Sequence, residues 1–492
     1  MKLMARTPSI LAAVFLLLGI TALPPRLHAM SGEAFIGMLD FSGYFRVRSW
    51  NVVSRTYIPE KIKWSKNYRT VDYLDLFMRN RLSIKPIDEI EIRSVFDVSA
   101  LFGKGAYSID GSPTNFITRN VYGLFRPFRG SELSVGLLPF SLPGGYLLAR
   151  DATGLHYIHH FTEKKVSVYA AYIKAIDDAD DSFGVGSDAP DYIWDDICFA
   201  GVKFAIGSIF SAEAYYAYQD DRHTSNRLTF ETEDFTAGLE GDGRKASLHW
   251  VGLHTTTYAG IWFLRIGGIV NAGHLHVRNE FFHFRKILVR SGLLEFETGI
   301  DVNNLRVSLI AEGATGDPDK PNAGISFQHI RGAHNFSFIV VDSIGGISLR
   351  GSGASCWYGL YGSGVKISHT FIDSLRLELG LLHFETTKVM DWRGKGVTWF
   401  GDEADLGLEY RLGEFLSLTI NAGAFLPQRA YCAQRAMKNN YADRLTLMER
   451  LGLITGDDWL YRLHYINLRG FDHHSSRSAI FEIMAGATVS YD

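Results

Sequence analysis

Residues 74–85 read Leu-Asp-Leu-Phe-Met-Arg-Asn-Arg-Leu-Ser-Ile-Lys, a stretch in which apolar and polar side chains largely alternate. Successive side chains of a β-strand point to opposite faces, so this pattern predicts a strand with one apolar and one charged face. The apolar face would carry Leu74, Leu76, Met78, Leu82 and Ile84. The charged face would carry Asp75, Arg79, Arg81, Ser83 and Lys85.

The same pattern recurs along the chain in segments that are joined by turns. Pro86–Asp88 predicts a short turn, after which residues 90–99 alternate again. Near the C-terminus, residues 403–412 and 416–424 alternate on either side of a predicted two-residue turn, Gly413-Glu414. Consecutive alternating segments with such turns are typical of antiparallel hairpins.

Short and long connections follow one another in alternation. The short ones are Pro86–Glu89, Pro127–Ser131, Thr162–Lys165, Gly241–Arg244 and Gly413–Glu414; the long polar ones are Asn51–Thr70, Phe102–Asn115, Ala175–Asp191, Thr387–Gly401 and Pro427–Ser478. Short periplasmic turns and long extracellular loops are typical of an all-β, transmembrane antiparallel β-barrel. We expect about 18 strands. Barrels of 16 and 20 strands also fit, because residues 256–326 accommodate either one strand or three.

The N-terminus carries an export signal. Lys2 and Arg6 precede an apolar run that ends at Leu23, and Ala29 supplies a small residue for cleavage. We therefore predict a signal peptide at residues 1–29 and a barrel at residues 30–492 of a protein located in the bacterial outer membrane. An N-terminal membrane anchor is the alternative, although the run is short for a spanning helix. No second apolar run of spanning length follows, which excludes a helical membrane protein.

Composition narrows the class of partner. The formal net charge is −3, so the chain lacks the basic character of nucleic-acid-binding proteins. The chain has three cysteines, Cys198, Cys356 and Cys432. An odd number at wide spacing does not indicate a set of structural disulfides, and we assign them no role. The expected partners are outer-membrane lipid and lipopolysaccharide, the barrel-assembly machinery, and a hydrophilic solute or polysaccharide.

The sequence contains only weak motifs for metal binding or catalysis. His274 and His276 would share a strand face at a spacing that can bind a metal ion, but the sequence places no third ligand. A Gly-x-Ser-x-Gly nucleophile elbow is absent from the sequence. We therefore expect no catalytic residue, no metal site and no cofactor, and we predict that the protein is not an enzyme.

The charged strand faces supply candidates for the lining of a pore. They are Arg46, Arg48, Asp75, Arg79, Arg81, Glu91, Arg93, Asp97, Arg150, Asp151, Glu403, Asp405, Glu409 and Arg411. Opposite charges on neighbouring strands could equally form ladders that only hold the wall together. The first two strands are richer in arginine than the last two, which would make one wall of a constriction basic. Leu137–Asp151, rich in Gly and Pro, is either a constriction loop inside the lumen or an ordinary outer loop on the rim.

Two ends of the chain resemble the alginate-export type of outer-membrane barrel. Phe41–Arg48, with its paired arginines, is similar to the opening strand of that family, and Arg79–Leu82 is similar to its second strand. Gly401–Tyr410 and Phe425–Pro427 resemble its late hairpin. The resemblance implies an 18-stranded barrel that lets a polymer or a small solute cross the outer membrane. The mixed charges depart from the strongly basic lumen that an anionic polysaccharide would require.

The leading hypothesis for function is an outer-membrane channel, a porin or an alginate-export-like protein. A surface structural or adhesion protein anchored by a plugged barrel is the alternative, with Pro427–Ser478 long enough to act as plug or lid. An outer-membrane enzyme is the least favoured hypothesis. The sequence leaves open the solute, the direction of transport, the ion selectivity and the oligomeric state.

Overall fold

The computed structural model describes residues 38–58, 63–104, 115–161, 165–174, 195–221, 245–278, 284–316, 359–372, 374–392, 395–430 and 477–491. This part of the chain contains 18 strands. Their bounds are β1 (Leu39–Ile58), β2 (Lys63–Ile87), β3 (Ile90–Lys104), β4 (Asn115–Phe125), β5 (Ser131–Ser141), β6 (Ala149–Phe161), β7 (Val166–Lys174), β8 (Asp195–Ile206), β9 (Phe210–Asp221), β10 (Lys245–Ala259), β11 (Trp262–Arg278), β12 (Phe284–Val302), β13 (Leu305–Ala314), β14 (Leu360–Ile372), β15 (Leu375–Trp392), β16 (Lys395–Leu412), β17 (Leu416–Pro427) and β18 (Arg477–Tyr491).

These strands close into a single antiparallel barrel. Each strand pairs with its neighbour in the chain, and β1 pairs with both β2 and β18. Closure leaves no free sheet edge, so backbone groups within lipid are satisfied by the neighbouring strand. The prediction of an 18-stranded transmembrane barrel is confirmed. The sequence left the number of strands in residues 256–326 at either one or three. This stretch contains the end of β10 and three further strands, β11 to β13.

Short turns gather at one end of the barrel. Asp88–Glu89, Gly260–Ile261 and Asn303–Asn304 each join an even-numbered strand to the next odd one. Gly260 and Asn303 have φ values of 63° and 52°, the left-handed conformation that two-residue hairpin turns require. The turn after β16 has three residues, 413–415, rather than the two predicted. In an outer-membrane barrel this end faces the periplasm.

Two predicted loops at the opposite end are largely strand, which corrects the sequence interpretation. Within Asn51–Thr70, β1 continues to Ile58 and β2 begins at Lys63. Thr387–Gly401 likewise lies mostly in β15 and β16. The 25 residues of β2 far exceed the span of a bilayer, for which about 9–11 tilted residues suffice. Beyond the membrane both faces of a strand meet water, so pairing continues while the apolar alternation is lost.

Other predicted segments fall where the structure gives no description. The predicted signal peptide at 1–29 lies outside the described residues and stays a prediction. Gly241–Arg244 is also outside them, in the connection from β9 to β10 at the end opposite the short turns, and was not correctly grouped with those turns. Within the described ranges, no helix is long and apolar enough to cross a membrane.

The outer face of the barrel is apolar along its middle. Leu294 on β12, Leu309 on β13 and Val270 on β11 are each more than half exposed. Their neighbours in sequence point the other way; Ser308, for example, is 3 % exposed. Exposed leucine and valine side chains repeated around a closed barrel form the lipid-facing band of a membrane protein. The inner face therefore carries the alternate residues, and these define the lumen.

Candidate functional site

The lumen is entered by the hairpin of β5 and β6. Strand β4 pairs with β5 only between Val121–Phe125 and Leu133–Leu137, whereas β5 pairs with β6 along its whole length to Ser141. The outer half of this hairpin has therefore left the barrel wall. Leu138 and Phe140, in this half, are buried in a hydrophobic cluster with residues of the inner wall.

The tip of the hairpin, residues 142–148, lies inside the barrel. Leu142, Leu147 and Leu148 are almost completely buried. The tip is closed by a hydrogen bond from the Leu142 amide to the Leu148 carbonyl, 2.9 Å. Gly144 has a φ of 72°, where a side chain would be strained and would collide with the ring of Tyr146. Of the two alternatives for Leu137–Asp151, the structure places its tip in the lumen rather than on the rim.

The tip contacts the far wall of the barrel. The Tyr146 hydroxyl donates a hydrogen bond to a carboxylate oxygen of Glu312, 3.0 Å away, and both residues are buried. Glu312 lies on β13, which is separated from β6 by six strands of the sheet. A buried bond to a charged group is worth more than an exposed one, so this contact helps to fix the tip across the lumen.

The wall beneath the hairpin is apolar on its inner side as well as its outer side. We call this surface the apolar wall: the inner-face residues Ile173, Ile197, Phe199, Ala217, Leu248, Trp250, Ile269, Val289 and Leu293 of β7 to β12. Trp250 and Leu248 are completely buried. Residues on the inner face of a water-filled barrel would be polar. This wall is apolar because the hairpin packs against it, so part of the lumen is filled with protein.

A second inner surface is charged. We call it the basic wall: the inner-face residues Arg46, Arg48, Phe77, Arg79, Arg81, Glu91, Arg93, Asp97 and Arg119 of β1 to β4. Arg79 donates two hydrogen bonds of 2.8 Å to the carboxylate of Asp97, whose side chain is 1 % exposed. Arg119 donates a third, of 2.7 Å, from the neighbouring strand. Two arginines from neighbouring strands therefore share one buried carboxylate.

The basic wall is linked to the base of the inserted hairpin. Asp151, a predicted pore residue on β6, accepts a 2.7 Å hydrogen bond from the side-chain amide of Asn120. It also lies 3.7 Å from Arg119, which itself bonds Asp97. A chain of polar contacts thus runs from the wall to the hairpin.

The remaining predicted residues of β1 to β3 have separate environments. The Arg46 guanidinium lies 4.9 Å from the centre of the Phe77 ring, within cation–π distance. Arg81 is exposed on the inner side. Glu91 is bonded by Arg93 from its own strand and by Arg126 at 3.0 Å. The bonded groups are ladders within the wall, whereas Arg81 is available to solvent.

Carboxylates dominate the inner face of β16, which we call the acidic wall. It carries the predicted residues Glu403, Asp405 and Glu409 with Arg411. Glu403 and Asp405 are buried, and Glu409 accepts a 2.7 Å bond from Arg411 near the short-turn end. Strands β17 and β18 separate this wall from the basic wall. Arginines are therefore more numerous on the inner faces of β1 to β4, and carboxylates on the inner face of β16.

Other predicted residues lie outside what can be described. The side chains of Asp75, Arg150 and His276 fall outside the described part, as do Cys356 and Cys432 entirely. Arg48 packs its aliphatic part against Gly486 of β18. Cys198 is an exposed free thiol on β8. Within the described ranges, no group of three or more His, Cys, Asp or Glu side chains could hold a metal ion.

Several residues of the lumen were missed by sequence reasoning. Arg119 sits at a bulge, because Val95 pairs with Asn120 while Phe96 pairs with Thr118. A bulge breaks the two-residue period, so alternation could not assign Arg119 to a face. Glu312 and Tyr146 are far apart in the sequence, and no local pattern links them.

No protein-family model matches the chain, and no curated protein matches its sequence. Among solved structures, OpdQ of Pseudomonas aeruginosa matches with a TM-score of 0.51 at 10 % identity, over 92 % of this chain and 100 % of that one. OccK5 (OpdH) of the same organism matches with a TM-score of 0.50 at 10 % identity, over 92 % and 99 %. Identity this low establishes the fold alone. The chain has the fold of the outer-membrane porins, and its closed, outwardly apolar barrel is that of a bacterial outer-membrane protein.

Proposed function

We propose that the protein is an outer-membrane channel that passes a small hydrophilic solute through a constricted, charged lumen. The observation that carries this proposal is the hairpin tip, residues 142–148, which crosses an 18-stranded barrel and is bonded to Glu312 on the far side. A barrel of this size is too wide for its own side chains to fill. An inserted hairpin that fills one side would leave a narrower path along the other.

In this proposal the path runs along the basic and acidic walls. Arginines on β1 to β4 and carboxylates on β16 would set up an electric field across the path. Charges beside a low-dielectric constriction act more strongly on a passing solute than they would in bulk water. Arg81, exposed on the inner side, is the arginine best placed to meet that solute directly.

Export of an anionic polysaccharide, which the alginate-export resemblance suggests, is a more specific alternative. The paired arginines Arg46 and Arg48 favour it. The buried carboxylates Glu403 and Asp405 and the apolar packing of the hairpin disfavour it, because a polymer needs a wide and uniformly attractive path. We therefore favour small solutes, in a barrel that the barrel-assembly machinery inserts among outer-membrane lipid and lipopolysaccharide.

A barrel that only anchors a surface structure is the second candidate, favoured by the apolar packing of the hairpin inside the lumen. The proposed function is transport, with no catalytic step. Conductance of a single folded molecule separates the channel from the anchor.

The test is single-channel recording of the refolded protein from Met30 onward in a planar bilayer under a salt gradient. We expect a steady conductance with a measurable preference for cations or anions. Arg81→Glu should shift the reversal potential in the direction of a greater cation preference. Arg81→Lys, which keeps the positive charge at the same position, is the control and should keep the reversal potential of the wild type. An unchanged reversal potential in Arg81→Glu would remove that residue from the path, and a folded barrel without conductance would favour the anchor.

A further inference from the structure

A chamber that is open on one side lies between the hairpin tip and the short-turn end of the barrel. It has a volume of about 740 Å³. Gly144 and Tyr146 of the tip form one side, and the inner faces of β6 to β14 form the others, including His254 and Glu295. Pockets of roughly 300–1,000 Å³ are those in which proteins hold small organic ligands. The position below the tip makes the chamber accessible from the short-turn side.

The carboxylates of the chamber are already engaged by neighbours. Lys203 lies 3.3 Å from Glu213. Glu297 is bonded by Arg265 at 3.0 Å and by Arg306 at 2.8 Å. A charged solute would have to compete with these existing pairs for its contacts. The chamber therefore suits an uncharged solute better than an ion.

Two buried polar atoms, one on a residue that lines the chamber and one on the residue whose ring stacks on it, have no hydrogen-bond partner in the described part of the chain. They are Nε2 of His254 and the hydroxyl oxygen of Tyr215, whose rings stack with centroids 6.1 Å apart. Tyr215 is 3 % exposed. By contrast, the hydroxyl of Tyr169, on β7, donates a 2.7 Å bond to Glu213. Buried polar atoms without partners are rare and cost stability, so two adjacent ones require an explanation.

The chemistry of these atoms defines the group that would complement them. The Glu295 carboxylate lies 2.9 Å from Nδ1 of His254 and occupies that nitrogen, so Nε2 is the ring nitrogen left for another partner. The Tyr215 hydroxyl can donate. A hydroxyl group donates and accepts at once and so satisfies both. A carboxylate would lie near the carboxylate of Glu295, which repels it, and an ammonium group cannot accept from Tyr215.

We propose that the chamber is a subsite for an uncharged solute rich in hydroxyl groups, of the size of a small sugar, and that His254 and Tyr215 are its hydrogen-bonding pair. This inference rests on the proposed function, for which it names the solute class. Gly144 lies against the edge of the His254 ring, where even an added Cβ would be 3.3 Å from Cε1. Binding at Nε2 therefore requires the turn around Gly144 to move away from the ring.

The test is titration calorimetry of the full, detergent-folded chain with maltotriose as the neutral probe and trigalacturonate as its acidic counterpart. We expect maltotriose to bind more tightly than trigalacturonate. Tyr215→Phe, which removes only the hydroxyl, should weaken maltotriose binding by about five- to tenfold, the value of one hydrogen bond. Tyr216→Phe, on the outer face of the same strand and 45 % exposed, is the matched control, and its affinity should stay within about twofold of the wild type.

Three results would overturn the subsite: no maltotriose binding by the wild type, equal affinity in Tyr215→Phe, or tighter binding of the acidic trimer. Heat-modifiable electrophoretic mobility verifies that each variant is folded. Bilayer recordings on the same preparation keep the two proposals apart. A conducting barrel that does not bind maltotriose overturns only the subsite, whereas a binding barrel that does not conduct overturns only the channel.

Discussion

The basic wall and the apolar wall belong to one sheet and obey one alternation, yet their inner faces are opposite in character. On β2 and β3 the inner residues are Arg79 and Asp97, joined by two 2.8 Å hydrogen bonds. On β10 they are Leu248 and Trp250, both completely buried. The wall that carries ion pairs is charged, and the wall that supports the hairpin is apolar. What an inner face meets, rather than its place in the barrel, decides its composition.

The apolar wall should be the more sensitive to a loss of volume. Trp250→Ala would leave a cavity under the hairpin and should lower the free energy of unfolding by about 3–5 kcal/mol. The measurement is urea-dependent unfolding followed by tryptophan fluorescence and electrophoretic mobility. Trp262→Ala, on the lipid-facing side of β11 and 60 % exposed, is the control and should cost much less. Equal losses in the two variants would mean that the hairpin does not depend on this wall.

The basic wall should be sensitive to charge instead. Arg79→Ala removes two hydrogen bonds from a buried carboxylate but leaves Arg119 bonded to it, so we expect a loss of about 2–3 kcal/mol. Arg79→Ala combined with Asp97→Asn should cost less than the sum of the two single changes. Additive losses in a double-mutant cycle would show that the pair is not coupled, contrary to its geometry.

Tyr146→Phe tests the contact that joins the hairpin to the far wall and should have the smallest effect. It removes one hydrogen bond to Glu312, so we expect about 1–2 kcal/mol, felt locally rather than in the whole barrel. In bilayer recordings we expect larger fluctuations of the open-channel current, because the tip is held less firmly. Tyr361→Phe, outward on β14, is the matched control. Current noise equal to that of the control would show that apolar packing alone holds the tip.

How much the sequence could predict differs between strands for physical reasons. Residues 403–412 and 416–424 fall within β16 and β17, because one face meets lipid and the other does not. On β8, Ile197 and Phe199 face inward while Val202 and Phe204 face outward, so alternation nearly vanishes there. The outer parts of β1 and β2 lack this alternation in sequence and were predicted to be a loop. Strand prediction succeeds where the two faces of a strand meet different surroundings.

The candidate site was predicted only in part. The sequence assigned Arg79 and Asp97 to one face correctly, but it could not show that they bond each other. It left two alternatives for Leu137–Asp151, since local sequence does not say against what a Gly- and Pro-rich segment packs. No sequence pattern indicated that atoms of His254 and Tyr215 would lack hydrogen-bond partners, because both residues occur in ordinary alternating strands.

By itself the sequence determined a closed, even-numbered antiparallel barrel and the residues that face away from lipid, because these follow from a two-residue period and from turn chemistry acting locally. The tertiary structure alone decided that the β5–β6 hairpin leaves the wall, that Tyr146 reaches Glu312 across the lumen, and that a chamber lies beneath the tip. Those features depend on contacts between segments that are distant in the sequence, up to 166 residues for Tyr146 and Glu312, where the energy of packing outweighs any local preference.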